Sequence, residues 1–164
     1  MACAKKPPPG EQGPRKPRVE LTIVLAAGRG GAPSGPHDVV TVTPEAPPAS
    51  RQMFERSGMR VAVVGLPSDG DPEPFMKTAV AEAEAAGSNA TVLVSTRCLG
   101  DLQPALEKNV GAFWTVPLVV GARCEGAVKP NIGAAALVEN GGASKVRVTF
   151  DRHTRAFLKV EPLP

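Results

Sequence analysis

Chemistry that leaves a local trace in a sequence needs particular side chains at particular spacings, and this chain offers few of them. The stretch TIVLAAGRGG (22–31) runs from apolar residues into a crowd of glycines. Backbone N–H groups left bare by glycine can hold the oxygens of a phosphate, although a strand that simply ends in a glycine loop reads the same way. Histidine is limited to His37, beside Asp38, and His153. Cys98, His153 and Asp151 supply the parts of a thiol site, but no spacing ties them together. HExxH, CxxC, GxxxxGK[ST] and paired-carboxylate patterns are absent, so motifs assign no catalytic residue, no metal ligand and no cofactor. Glu82 and Glu84, two apart on a helical stretch, point in different directions and read as solvated surface.

The densest functional signal is electrostatic. Within residues 1–18, Lys5, Lys6, Arg15, Lys16 and Arg18 oppose the single acid Glu11, a net of +4 against +3 for the whole chain. Residues 19–164 are therefore close to neutral. The prolines and glycines of that segment disfavour helix and sheet. A basic, extended segment is drawn to phosphates without reading sequence, and salt weakens the attraction. The expectation is a flexible arm over 1–18 that contacts nucleic acid, RNA first, followed by a single β-rich globular domain over 19–164. Phe113-Trp114 and Phe157 do not make the aromatic pattern of an RNA-recognition sheet.

The elements behind the arm follow from periodicity. Val19–Leu25 alternates as a strand, Asp38–Thr43 as a second, and Ser50 is placed to cap a short helical turn through Met53 and Phe54 that closes at Gly58. Arg60–Leu66 is a third strand. Pro72–Ala86 is the clearest helix, with Asp71 as N-cap, Pro72 in the first position and Gly87 beyond the end. Thr91–Thr96 reads as a strand and Asp101–Lys108 as a short helix. Phe113–Val120 is extended, and Pro117 points to an edge or a bulge there. Ala134–Glu139 and Lys145–Phe150 are strands, and Ala156, Leu158 and Val160 then alternate with Arg155, Phe157 and Lys159. Clean alternation favours an antiparallel β-sandwich, mainly β and jelly-roll-like, with about eight strands and two or three short helices in the connections. The alternative is an α/β sandwich, because VAVVGL and TVLV flank a helix.

Two family resemblances attach to these residues. TIVLAAGRGG resembles the opening of sugar-nucleotide and related nucleotidyltransferases, a strand followed by LAAGxGTR, but Gly31 and Ala32 stand where that family has Thr-Arg. This resemblance implies a small nucleotide-binding enzyme. The order of basic arm, strands and inserted helices resembles the single jelly-roll coat proteins of small icosahedral plant RNA viruses, such as bromoviruses and tymoviruses. RVAVVGLPS with its following helix and TVLVST is similar to the middle of bromovirus coats, and GAAALVENGGASKVRVTFDRHTRAFL resembles the last paired strands of such shells. That resemblance implies a self-assembling, non-enzymatic shell subunit, with itself and packaged RNA as partners and the arm lysines and arginines lining the interior. An RNA-contacting component of a ribosome or other large particle is the further alternative.

Compartment signals are sparse. No apolar run approaches the roughly 20 residues of a membrane span, and the N-terminus passes from lysines straight into PPP without the apolar region of a secretion signal. Cys3, Cys98 and Cys124 are odd in number and widely spaced, which reads as free thiols in a reducing compartment. The expected setting is virion or cytoplasm, neither membrane nor secreted.

Overall fold

The computed structural model describes residues 18–25, 39–42, 51–56, 58–67, 69–122, 124–139, 145–151, 153–154 and 156–163. Ten strands and two helices occur among them: β1 (Arg18–Leu25), β2 (Val39–Val42), β3 (Arg51–Arg56), β4 (Met59–Gly65), α1 (Pro72–Ala85), β5 (Ala90–Cys98), α2 (Leu99–Lys108), β6 (Leu118–Ala122), β7 (Asn131–Ile132), β8 (Ala135–Glu139), β9 (Lys145–Asp151) and β10 (Phe157–Leu163). They form two sheets, a six-stranded one ordered β3-β4-β5-β6-β8-β7 and a four-stranded one ordered β10-β9-β1-β2.

The centre of the larger sheet is parallel: β4 with β5, β5 with β6, and β6 with β8. Antiparallel pairing is confined to its margins, where β3 pairs β4 and β7 pairs β8. This architecture corrects the antiparallel jelly-roll expectation and lies with the α/β alternative. The reason is burial on both faces. Val61 and Val63 of β4, with Val92, Val94, Leu118 and Val120, join Val148 and Phe150 of the smaller sheet in one apolar cluster. Val64, Leu93 and Val119 point the other way, into a second cluster with Met76, Val80, Leu102 and Leu106 of the helices. A strand covered on both faces is apolar throughout, and VAVV and TVLV are such runs. The layers are therefore helices, mixed sheet, smaller sheet.

Local chemistry sets α1 as its residues predict. Asp71 Oδ1 accepts from the Glu73 N–H at 3.0 Å, Pro72 opens the helix, and Gly87 leaves it at φ +89°. Helix α2 begins two residues before its predicted start, so Pro104 lies inside it. Three further expectations change. The helical turn expected through Met53 and Phe54 is not formed, because Arg51–Arg56 is strand β3, hairpinned onto β4 through Gly58 at φ +77°, while Ser50 lies outside the described residues; pairing with a buried strand overrides local helix preference. Pro117 lies neither on an edge nor in a bulge. It precedes β6, a central strand, and its carbonyl accepts from the Ala136 N–H. In β10 a register shift at Phe157/Lys159 turns Phe157 onto the core, edge-to-face with Phe150, and leaves Leu158 46% exposed.

Candidate functional site: the two edges of the mixed sheet

The parallel strands give the large sheet a carboxyl edge, where β4, β5, β6 and β8 end, and an amino edge, where they begin. In open α/β sheets ligands gather outside the carboxyl ends of the strands. Arg97 occupies that position here. β5 stays in register with β6 through Val94↔Val120 and pairs again only at Cys98↔Ala122. Residues 95–97 therefore bulge against Gly121 alone, a device that re-aims a side chain at a sheet end. The Arg97 N–H donates to Ser95 Oγ at 2.9 Å, and Nη2 donates to the Gly70 carbonyl at 2.7 Å, across the loop between β4 and α1. Nη1 is buried and, among the described residues, has no hydrogen-bond partner. A buried guanidinium nitrogen left without an acceptor is costly. Helix α2 opens beside it with Cys98 at its N-cap, which makes no side-chain capping bond; the first N–H groups of a helix are themselves anion donors.

A disulfide joins Cys98 to Cys124, with Cα atoms 5.5 Å apart, inside the range such bridges require. This corrects the reading of these cysteines as free thiols: the fold brings together two residues that are 26 apart in the chain. Outside the bridge, Cys124, Glu125, Gly126 and Glu139 line an open concavity of about 560 Å³.

The amino edge is different. Asn89, Trp114, Thr115, Pro117, His153 and Thr154 contribute to a cavity of about 400 Å³. Trp114 is 66% exposed. The His153 turn is held by Asp151, whose Oδ1 accepts from the N–H groups of His153 and Thr154 at 2.8 and 2.9 Å. The Thr154 backbone bond, and then that of His153, hold the Asp151 carboxyl below the usual carboxylate range. Thr115 Oγ1 donates to Glu84 at 2.6 Å.

These placements separate the residues that the sequence suggested as a set. Cys98 is bridged at the carboxyl edge, whereas His153 and Asp151 sit at the amino edge, so the three form no thiol site. Because residues after β9 line the amino edge and β1 runs antiparallel to β9, β1 begins at the amino edge and ends at the carboxyl edge. The glycine loop that follows Leu25 therefore departs from the same edge that carries Arg97. Residues 26–38 of that loop, with His37 and Asp38, lie outside the described residues, as do Lys5, Lys6, Arg15 and Lys16 of the arm. Arg18 is described: it opens β1, exposed, in register with Asp151. Arg97 and Trp114 went unread as site residues. An arginine closing the apolar run TVLVSTR just before a helix start was the signal for the first; nothing local distinguished the second.

Among the described residues, no group of three or more His, Cys, Asp or Glu is placed to hold a metal ion. Among the same residues, no helix is long and apolar enough to cross a membrane.

No family model matches the chain, and no curated protein matches it. Among solved structures, the chain is similar to the sulfate thiohydrolase SoxB of Thermus thermophilus in complex with glycerol. The TM-score is 0.50 at 21% identity, over 68% of this chain and 24% of that one. Two more similar structures are a 5'-nucleotidase precursor from Thermus thermophilus (TM-score 0.42, 19% identity, 68% of this chain and 28% of that one) and the NAD nucleotidase of Haemophilus influenzae (0.43, 12%, 68% and 29%). The chain thus spans 24–29% of the length of these proteins. The SoxB likeness is one of fold. Together with the parallel sheet it overturns the viral coat resemblance and, with it, the shell-subunit reading.

Proposed function

We propose that this chain is a ligand-binding α/β domain that holds a tetrahedral oxyanion, the phosphate of a nucleotide first, at the carboxyl edge of its mixed sheet. The single observation carrying the reading is Arg97: it is presented by a bulge at the carboxyl edge of the sheet, tied to Gly70 by one guanidinium nitrogen, with the second one buried and unpartnered among the described residues. Two further observations support it. Strand β1 ends at this edge with Leu25, where the sequence continues as AAGRGG, and SoxB, similar in fold over 24% of its length, is by name a sulfate thiohydrolase. The reading is of binding.

The test is calorimetric titration of the full chain with ADP, adenosine and inorganic sulfate, repeated on Arg97→Met. ADP is expected to bind, sulfate to bind more weakly, and adenosine not to bind. A hydrogen bond to a charged group contributes about 1.5–3 kcal/mol, so Arg97→Met should weaken ADP roughly tenfold or more. Equal affinity for ADP and adenosine, or unchanged ADP affinity in Arg97→Met, would refute the assignment.

A further inference from the structure

The Cys98–Cys124 bridge is built into the element that presents Arg97. Cys98 follows Arg97 directly, restores the β5–β6 pairing after the bulge, and caps α2. On the other strand, Gly121 lies so close that a Cβ there would meet Leu99 Cδ2 at 2.7 Å and the Arg97 carbonyl oxygen at 3.1 Å. The bulge is therefore pressed onto β6 from one side and fastened covalently from the other. Cys124 is exposed and stands in a stretch of irregular backbone between β6 and β7. Among the described residues, that stretch is next held at Val128, which packs against the helix-side apolar cluster, and at Lys129, whose N–H donates to Gln103 Oε1 and whose ammonium pairs with Glu107. Between Ala122 and Val128 the disulfide is thus the covalent fastening that keeps the segment beside Arg97.

We infer that this bridge is a redox control on the carboxyl-edge site, an inference that rests on the oxyanion-binding reading above. The reductant is a dithiol. Its thiolate attacks the exposed Sγ of Cys124, the S–S bond breaks, and Cys98 leaves as a thiolate that takes up a proton. The second thiol of the reductant then attacks the mixed disulfide and releases Cys124 as a thiol. Two electrons and two protons pass to the protein, and the reductant becomes a cyclic disulfide. With the bridge open, residues 124–127 are no longer fastened to the start of α2, the bulge loses its anchor, and Arg97 loses its fixed aim. Oxidised protein binds the oxyanion; reduced protein binds it weakly.

The full chain, oxidised or reduced with dithiothreitol, would be alkylated, titrated with ADP and followed by amide hydrogen exchange. Cys3 serves as an internal standard, so one alkylation is expected on oxidised protein and three on reduced protein. Reduction should weaken ADP at least tenfold and speed exchange over residues 97–101, leaving that of Val61–Val64 unchanged. A Cys98→Ser/Cys124→Ser variant should match reduced protein and ignore dithiothreitol. If the double variant does not fold, Cys124→Ser alone serves the same comparison. Three alkylations without reductant would overturn the inference, as would exchange and ADP affinity that do not change on reduction. Oxidised protein that binds no ADP, with exchange still faster on reduction, would sink the oxyanion-binding reading and with it the control of such a site, which separates that failure from a bridge that controls nothing.

Discussion

At the carboxyl edge of the mixed sheet an arginine is aimed by a bulge, a close glycine contact, a hydrogen bond to a loop carbonyl and a disulfide. At the amino edge of the same strands an indole stands two-thirds in solvent beside a turn held by one carboxylate. The first is over-determined and leaves a charged donor unpaired; the second is loosely held and mainly apolar. Sites that act on a ligand need side chains whose aim is fixed by their surroundings, and on that criterion the carboxyl edge is the one constructed for recognition. Cavity size alone would not have separated them, since both concavities fall within the range of ligand pockets.

The largest effect that would break this contrast is expected at Gly121. A methyl group there must push back Leu99 and the backbone carbonyl of Arg97, and overpacking of this kind costs about 1–3 kcal/mol. Gly121→Ala should lower the melting temperature by several degrees and weaken ADP binding, while the fluorescence of Trp114, the chain's single tryptophan, stays as it was in the folded protein. An altered Trp114 signal with intact ADP binding would mean that the two edges are not independent.

A smaller effect is expected at Asp71. Its side chain caps α1, and the preceding carbonyl, that of Gly70, holds Arg97. Loss of an N-cap costs about 1 kcal/mol. Asp71→Ala should therefore destabilise the protein by that amount in urea unfolding and, by loosening the loop, reduce ADP affinity more than it alters the amino edge. Asp71→Ser, which can still cap, should restore stability. A failure of serine to rescue would place the role of Asp71 outside capping.

How much of this was legible follows from which forces act locally. Helix α1 was readable because its cap, its first-position proline and its terminal glycine are properties of adjacent residues. The last strands were equally readable, and they misled: Val148 and Phe150 do alternate, but in the smaller sheet, where β9 pairs antiparallel with both β1 and β10. The parallel core was signalled only by apolar runs in β4 and β5 with no solvated face, flanking a helix. Arg51–Arg56 looked helical because its partner, β4, is what makes it a strand. The disulfide and the aim of Arg97 depend on register between β5 and β6, and no local periodicity carries that register. The basic arm was plain in the charge count, and Lys5, Lys6, Arg15 and Lys16 lie outside the described residues.

The smallest effect concerns the amino edge and is read by pH. The hydrogen bonds from Thr154 and His153 lower the Asp151 pKa in the folded protein, so the folded state binds that proton less readily than the unfolded chain. The stabilisation from Asp151 is then fully present above the ordinary carboxylate value, about 3.9, and is lost as pH falls through that value toward the folded one. Glu73, Glu107 and Glu161 are lowered too, by Asn109 with Lys108, by Lys129 and by Lys159 respectively, so global acid unfolding will report all four. Trp114 shares its cavity with His153 and Thr154 and reports the turn alone. Below about pH 4 its fluorescence should begin to change while far-ultraviolet circular dichroism is still native, and Asp151→Asn should remove that early change. An early change that persists in Asp151→Asn would show that another group holds the turn, and the amino edge would then be less simply built than a single carboxylate implies.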